Sequence, residues 1–520
     1  MKRASAPGES TSPENKVPPS GLGTRTLTGA LWTSAGEGAG FVLHWAVFVV
    51  MARLLSAEDF GIFALALVVV GLGRLFGEIG LGPSIIQRSA LQEDHIRTAF
   101  TISVLLSLAV GALVVLSAPV AASLLGSDEL VPVIRVLAIL FVLRGIGLTA
   151  GSLLQRDLRF PALARADLIS YFVGYGCIGT GLAFAGLGYW ALVWAAITQT
   201  LLENVQYFLL RDHPRRPMLR VQPLRDLLSY GAGASVGRFG NYLALKADYI
   251  VAGRLLGVGP LGIYSRAYGL MSLPIGIYQS VAGKALFSAI AKVQHEPLRL
   301  ATAHRRAASA TGLLLLPSGV VLSVLAPEVV SVVLGGKWIE VVRPFQFMAL
   351  GLFFRSGYNV GAAVSKGAGE VHRLAIRQWI YPVLVVLAAW IGATRGVTGI
   401  AAAVLLAIVV HFLMVTQLSL RCSSLSWRDF LAAHVPALIL TVVIGLVTWI
   451  SSDMLRVLDA PDLLVLVGSV GTSACAVALL VRLHPKTILG QDGIWFVKRI
   501  RELMPAWVPY LRTLPAAHTR

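Results

Sequence analysis

Charged residues are scarce in this sequence: Asp, Glu, Lys and Arg make up 13% of its 520 residues, whereas about a quarter of an average soluble protein is charged. Hydrophobic residues reach 56%, and the mean hydropathy is +0.75. Cysteine is also rare, and Cys177, Cys422 and Cys475 lie far apart, so we expect neither a disulfide framework nor a metal site. The composition excludes an ordinary soluble domain and indicates a polytopic membrane protein.

Motifs for chemistry are missing as well. The sequence has no Walker motif, no Ser-His-Asp order and no paired-carboxylate site, and the glycines around Gly71 and Gly73 lie inside an apolar run, not between a strand and a helix. We therefore do not expect transport powered by ATP hydrolysis within this chain. The net charge of +18 would suit a nucleic-acid partner, but the basic residues punctuate apolar segments and form no soluble basic face. No nucleic-acid partner is expected.

Long apolar runs are abundant. Because a membrane-spanning helix needs about 20 apolar residues, we predict about fourteen transmembrane helices in an all-α fold. The predicted runs are 28–52, 60–86, 99–122, 131–154, 166–185, 188–210, 229–252, 262–289, 308–333, 343–365, 375–394, 396–419, 430–451 and 462–482. An even number of spans places both termini on the same side of the membrane.

The distribution of Lys and Arg predicts the orientation, because cytoplasmic loops retain positive charge. With the N-terminus inside, inner loops and tails hold about 30 of the 44 Lys and Arg residues, outer loops about 6 and the apolar runs about 8. We therefore predict cytoplasmic N- and C-termini. No predicted loop is long enough to form a sizeable soluble domain.

One stretch of the sequence occurs twice. Arg53-Leu54-Leu55 followed by Phe60-Gly61-Ile62-Phe63 matches Arg254-Leu255-Leu256 followed by Leu261-Gly262-Ile263-Tyr264 at an offset of 201 residues without a gap. The repeat predicts two pseudo-symmetric halves, as in transporters that hold a polar substrate between two rocking bundles.

Eight basic residues fall inside the predicted spans. Facing lipid, they would together cost on the order of 20 kcal/mol, so they must meet water, protein or anions. We hypothesise a water-filled cationic cavity for an anionic substrate, while interhelical ion pairs and snorkelling side chains remain the alternative. The candidate substrate-binding residues are Arg74, Arg144, Arg238 and Arg355 near mid-depth, Lys246 and Arg266 toward the outer side, and Lys284 toward the inner side. Glu37 and Asp248 are the candidates for ion coupling.

The stretch from Asp248-Tyr249 through Gly253-Arg254-Leu255-Leu256-Gly257 to Leu261-Gly262-Ile263-Tyr264-Ser265-Arg266-Ala267 resembles the polysaccharide transporter family of lipid-linked oligosaccharide flippases, within the multidrug, oligosaccharidyl-lipid and polysaccharide exporter superfamily. Ala52 to Phe63, and Gly80-Leu81-Gly82 with Ile86-Gln87-Arg88, look like the opening helices of that family. The resemblance implies a V-shaped pair of six-helix bundles followed by two extra helices. The implied organisation is a disordered cytoplasmic tail (1–23), a first bundle (24–210), a linker (211–228), a second bundle (229–420), two helices (421–483) and a basic amphipathic cytoplasmic tail (484–520).

The same resemblance implies a function without an enzymatic step and without a bound cofactor. The family moves undecaprenyl-pyrophosphate-linked repeat units across the bacterial inner membrane for cell-surface polysaccharide synthesis. It implies membrane lipids and a lipid-linked oligosaccharide as partners, and we expect a polysaccharide polymerase and chain-length components beside them. The alternatives are a secondary-active exporter of drugs or other small solutes, and a scaffold for polysaccharide assembly. A polymerase or ligase would need larger outer loops than this sequence has.

Overall fold

The computed structural model describes residues 38, 40–77, 80–88, 90–220, 222, 240, 242–279 and 296–503. Over these residues the chain is helical and forms no β-strand. The predicted tail 1–23, residues 221 and 223–228 of the predicted linker 211–228, and the end of the chain beyond residue 503 lie outside them. The α-helices are α1 (Gly40–Leu54), α2 (Ala57–Gly77), α3 (Leu81–Gln87), α4 (Glu93–Leu125), α5 (Leu130–Leu137), α6 (Ile139–Arg156), α7 (Phe160–Tyr171), α8 (Thr180–Phe184), α9 (Tyr189–Leu210), α10 (242–256), α11 (Val258–Tyr278), α12 (Pro297–Val324), α13 (Ala326–Val333), α14 (Val342–Leu350), α15 (Leu352–Gly367), α16 (Val371–Ala393), α17 (Gly396–Ser423), α18 (Trp427–Val457), α19 (Asp462–Leu483) and α20 (Pro485–Leu503).

Two groups of helices pack around a shared core. In the first group α4 packs on α6 and α6 on α9, and in the second α16 packs on α17 and α12 on α15. The helices α18 and α19 extend the second group, because α18 lies along α12 and α19 lies along α18. The all-α transporter architecture predicted from the sequence is confirmed, while the domain boundaries remain predictions.

Eight helical stretches of the described chain are long and apolar enough to cross a membrane, and the shorter apolar helix α1 adds to them. The count of fourteen remains a prediction, since four of the runs include residues that are not described. Several of the predicted runs are divided between two helices in the structure, including the following two. Run 60–86 is divided into α2 and α3 near Gly80, whose φ is 66°, and run 308–333 is divided at Leu325, where Pro327 begins a new helix. A hydropathy profile does not detect such turns, because the segments on both sides of them are apolar.

The repeated stretch builds the contact between the two groups. A Cβ atom on Gly61 would lie 1.8 Å from the carbonyl oxygen of Val258, and a Cβ atom on Gly262 would lie 1.7 Å from that of Ala57. The two contacts are related by the same offset of 201 residues, so α2 and α11 approach each other through a reciprocal interface, as expected for two-fold pseudo-symmetry. We call these four residues the glycine crossing.

Side chains from the second group cap the C-terminus of α1 beside this crossing. The Trp338 indole N–H donates to the carbonyl oxygen of Ala52 at 2.8 Å, and Lys337 Nζ donates to those of Arg53 and Leu55, both at 2.9 Å. Arg53 in turn donates to the carbonyl oxygen of Val332 at 2.7 Å. The last carbonyl groups of a helix have no hydrogen-bond partner within it. These bonds supply partners and connect the two groups of helices at the C-terminus of α1.

After Leu483 the chain continues as the helix α20, which is docked against the bundle. Asp492 forms ion pairs with Arg305 at 3.0 Å and Arg306 at 3.7 Å, and the Arg306 guanidinium lies 4.3 Å from the centre of the Trp495 ring. A bend at Gly490, whose φ is 63°, allows the helix to turn onto α12 and α18.

We predict that Gly262→Leu destabilises the protein by about 1–3 kcal/mol, because overpacking a close helix crossing forces the backbones apart. The midpoint of thermal unfolding in detergent measures the effect. Gly259→Leu is the matched control, since a Cβ atom there has no neighbour within 4 Å. Equal midpoints for the two variants would contradict the assigned role of the glycine crossing.

Candidate functional site

A buried carboxylate marks the centre of the candidate site. Asp248 of α10 is only 3% exposed. One of its oxygens accepts the backbone N–H of Tyr249 at 2.9 Å, and the other accepts the Tyr264 hydroxyl of α11 at 2.7 Å. Because a buried polar group must be hydrogen-bonded to be tolerated, the two facing helices hold this side chain in one position.

Two cations lie near this carboxylate. Lys246 Nζ lies 4.2 Å from the centre of the Tyr249 ring, and the Arg355 guanidinium lies 4.6 Å from that of Tyr268 while donating a hydrogen bond to the Tyr268 hydroxyl. The charges of both cations act on Asp248. In the described chain no basic nitrogen comes within the 4.0 Å of an ion pair with it, so aromatic rings, as cation–π partners, are the cations' direct contacts.

Arg266 of α11 places a third positive charge against side chains of the first group of helices. Its guanidinium lies 3.8 Å from the centre of the Phe60 ring and 4.9 Å from that of Phe48. Its Nε atom is buried and has no hydrogen-bond partner in the described structure. A buried donor without a partner is costly, which makes Arg266 a ready contact for an anion.

Stacked aromatic rings continue the cluster through the first group. The His44 and Tyr171 rings stack at 3.7 Å, and Tyr171 and Tyr175 stack at 5.1 Å. The charge of Arg266 acts on Tyr171, and that of Arg144 acts on Tyr175. Tyr175 lies in a π-helix, Phe172–Gly179, a form often found at functional sites. We call this whole set the cationic belt: Arg144, Lys246, Arg266 and Arg355 with Asp248, His44, Tyr171, Tyr175, Tyr249, Tyr264 and Tyr268.

The structure groups basic residues that the sequence analysis assigned to different depths in the membrane. Lys246, Arg266 and Arg355 all lie around Tyr249, and Arg144 lies at the other end of the belt. Arg74 is exposed on α2, and its charge acts on Tyr242. Glu37, Arg238 and Lys284 lie outside the described residues.

Tyrosines were missed by the sequence reasoning, which weighed charges alone. Tyr264 and Tyr268 are four residues apart and therefore share one face of α11, a signal that could have grouped them as one surface. Tyr381 was missed too: it stacks on His411 at 4.3 Å and lies in the field of Arg355.

No group of three or more His, Cys, Asp or Glu side chains that could hold a metal ion occurs in the part of the chain that the structure describes. The belt instead offers several guanidinium and ammonium donors, aromatic faces and one carboxylate. Guanidinium forks pair with phosphate oxygens, and aromatic rings provide flat apolar faces. The arrangement is suited to binding a ligand that is both anionic and partly apolar.

Comparison with protein families gives a match over more than half of the chain. The family described as "Polysaccharide biosynthesis protein" matches residues 50–343, which include the glycine crossing and most of the cationic belt. The lipopolysaccharide biosynthesis protein WzxC of Escherichia coli (strain K12) is 25% identical over 348 residues, which are 66% of this chain and 70% of that protein. The succinoglycan biosynthesis transport protein ExoT of Rhizobium meliloti (strain 1021) is 26% identical over 341 residues, or 65% of this chain and 68% of ExoT.

Solved structures share the fold. The lipid II flippase MurJ in an inward closed conformation superposes with a TM-score of 0.69 at 16% identity, over 87% of this chain and 99% of MurJ. A multidrug resistance MATE family transporter in an inward-facing conformation gives a TM-score of 0.56 at 18% identity, over 74% of this chain and 95% of the transporter.

We predict that Asp248 and Arg355 are energetically coupled. Asp248→Asn should destabilise the protein, because it leaves Lys246 and Arg355 without their counter-charge. Adding Arg355→Gln should restore part of the loss, with a coupling free energy of about 0.5–3 kcal/mol, measured by thermal unfolding of the four members of the cycle. Arg343 is exposed, so a cycle between Asp248→Asn and Arg343→Gln should be additive. Additivity in both cycles would contradict the coupling.

Proposed function

Because the chain belongs to the polysaccharide biosynthesis protein family, we propose that it moves lipid-linked oligosaccharides, the undecaprenyl-pyrophosphate-linked repeat units of a cell-surface polysaccharide, across the bacterial inner membrane. The observation that carries the proposal is the surplus of positive charge in the cationic belt, which contains four basic residues and one carboxylate. The names of WzxC and ExoT associate those relatives with lipopolysaccharide and succinoglycan. The flippase fold shared with MurJ agrees with the proposal.

The belt matches the chemistry of such a headgroup. The pyrophosphate would bind Arg355, Lys246 and Arg266, because charge-assisted hydrogen bonds to phosphate oxygens are among the strong ones. The sugar rings would lie against the Tyr171 and Tyr175 faces, and the polyprenyl tail would stay in lipid. Arg74, Arg144 and, beyond the described residues, Arg238 and Lys284 would guide the anion toward the belt.

The headgroup enters from the cytoplasm in this proposal. The connections at the glycine crossing carry acidic residues, Glu58 and Asp59, whereas the opposite end carries basic ones such as Arg211, Arg215 and Arg216. By the positive-inside rule, the glycine crossing lies at the outer face and both termini are cytoplasmic. The two groups of helices therefore meet at the outside, and the belt is reached from the inside.

Transport follows by alternating access. Outward opening separates α2 from α11 at the glycine crossing and breaks the bonds of Trp338 and Lys337 to the end of α1. The inside-negative potential contributes about 2.3 kcal/mol per 100 mV for each net negative charge moved outward. Asp248 acts as the resting counter-charge of Lys246 and Arg355, and together with Glu37 it is a candidate for coupling to an ion.

The protein performs no enzymatic step in this scheme, and its products pass to a polysaccharide polymerase and chain-length components as partners. Export of a cationic drug is less suited to the belt, because its carboxylate is already flanked by two cations. An exporter of small anions would use the same residues, so the test below includes the lipid-linked substrate itself.

We predict that Arg355→Gln lowers the rate of flipping of a fluorescent lipid-linked oligosaccharide in proteoliposomes by between about tenfold and hundredfold, because a hydrogen bond to a charged group contributes about 1.5–3 kcal/mol. Surface polysaccharide in a flippase-deficient strain should fall in parallel at unchanged protein level. Arg343→Gln, which changes an exposed arginine of the neighbouring helix α14, is the control. If Arg355→Gln flips the lipid at the wild-type rate, the belt is not the substrate site.

A further inference from the structure

A second polar pocket lies inside the second group of helices, apart from the cationic belt. It lies between α12, α15, α17 and α18 and has room for about one water molecule. Its polar side chains are His304, His434, Thr311 and Thr416, and its apolar lining includes Phe353, Phe412 and Phe430. His304 is 1% exposed and His434 is 6% exposed. The transport scheme above makes no use of either histidine.

Hydrogen bonding fixes the tautomer of His434. Its Nδ1 atom lies 2.8 Å from the carbonyl oxygen of Phe430, and a carbonyl can only accept, so Nδ1 carries the proton. The Nε2 atom then bears a lone pair. This atom is buried and has no hydrogen-bond partner in the described structure.

The same reasoning applies to His304. The hydroxyl of Ser423 donates to the carbonyl oxygen of Ser419 at 2.9 Å, so it accepts from His304 Nδ1, also at 2.9 Å. Ser419 lies 3.4 Å from His304 Nε2 but directs its own hydroxyl to the carbonyl oxygen of Thr416 at 2.9 Å. The Nε2 atom of His304 is therefore also left as an acceptor without a committed donor.

Thr311, another polar group of the pocket, supplies no spare donor. Thr311 donates to the carbonyl oxygen of Ala307 at 2.8 Å, so its contact of 2.7 Å with Tyr278 is a bond donated by the tyrosine. The pocket is small enough that about one water molecule would fill its open space. The Nε2 atoms of both histidines are therefore acceptors at this space, and a bound proton would supply the donor that they need.

Charged groups on the surrounding elements point elsewhere. Arg305 and Arg306 of α12 pair with Asp492 of α20. Five charged side chains lie next to the pocket-lining segments of α15, α17 and α18. Arg355 belongs to the cationic belt, and the other four are exposed: Lys366, Arg421, Arg428 and Asp429. Among the residues that the structure describes, no Asp, Glu, Lys or Arg lines the pocket. Phenylalanine rings surround it instead, with Phe430 centred 4.5 Å and Phe353 5.3 Å from the His434 ring, where they can stabilise a cation.

We propose that His304 and His434 together form a proton-binding site, in which one proton from solvent bonds to the Nε2 lone pair of one imidazole and is shared with the other through one water molecule. The proton comes from a hydronium ion, whose O–H bond breaks to leave a neutral water molecule. The resulting charge-assisted hydrogen bond lies among aromatic rings.

The site communicates with the cationic belt through α15. Phe353, Gly357 and Gly361 on one side of this helix line the histidine pocket, while Arg355 on the other side donates to Tyr268 in the belt. A change of charge in the pocket therefore acts on the helix that carries a substrate-binding arginine. This coupling rests on the proposed function, whereas the proton site itself rests only on the pocket.

Two measurements on the full-length protein test the site. The first follows deuterium exchange at the imidazole C2 position by mass spectrometry as a function of pH, in wild-type protein and in His304→Gln. If the two imidazoles share a proton, the exchange midpoint of His434 shifts by about one pH unit when His304 is replaced. An unchanged midpoint overturns the proposal, whether or not the protein flips lipid. His372→Gln, which changes an exposed histidine of α16, should leave the midpoint unmoved.

The second measurement is the pH profile of flipping in proteoliposomes. The wild-type rate should change by at least about threefold between about pH 5.5 and pH 8, the range in which imidazoles titrate. His304→Gln and His434→Gln should each lose this dependence, and His372→Gln should keep it. Retention of the profile in both pocket variants overturns the coupling and leaves the flippase function standing. Absence of flipping by wild-type protein refutes the proposed function, and the exchange experiment then still decides the proton site.

Discussion

A carboxylate enclosed by apolar helices is stable only if hydrogen bonds and opposite charges replace the water that it has lost. Asp248 meets this requirement through the Tyr264 hydroxyl, a backbone N–H and the fields of Lys246 and Arg355. Each of those cations in turn contacts a tyrosine ring. The rest of the candidate site depends on this arrangement, because it fixes α10, α11 and α15 relative to one another and holds their cations together.

The two halves of the protein are similar in backbone but not in chemistry. The same offset of 201 residues relates the two sides of the glycine crossing. By this offset, Val47 is the position equivalent to Asp248 in the first half, and Phe48 is the position equivalent to Tyr249. The second half therefore supplies most of the charge of the belt, whereas the first half supplies aromatic faces such as Phe48, Phe60 and Tyr171. Symmetry positions the helices against each other, and departures from symmetry create the polar site between them.

Much of the fold was predictable because burial in a bilayer imposes a simple rule on composition. Apolar runs, the Lys and Arg distribution and the repeat around Gly61 and Gly262 predicted an all-helical protein of two similar halves. The breaks near Gly80 and Leu325 were not predictable, since a turn between two apolar segments leaves the hydropathy unchanged. Charge alone identified Lys246, Arg266 and Arg355, but it could not identify the tyrosines that contact them, because an apolar helix carries many aromatic residues that only pack.

The sequence by itself determined that the chain is helical and membrane-embedded, that it is built as a repeat, and that it holds more positive than negative charge in its apolar runs. Only the tertiary structure decided which charges share a site. Lys246, Asp248, Arg266 and Arg355 come from three helices, and the two pocket histidines come from α12 and α18, whose residues are more than a hundred positions apart. Electrostatic fields and hydrogen bonds act over a few ångströms of space, and packing of the helices sets those distances.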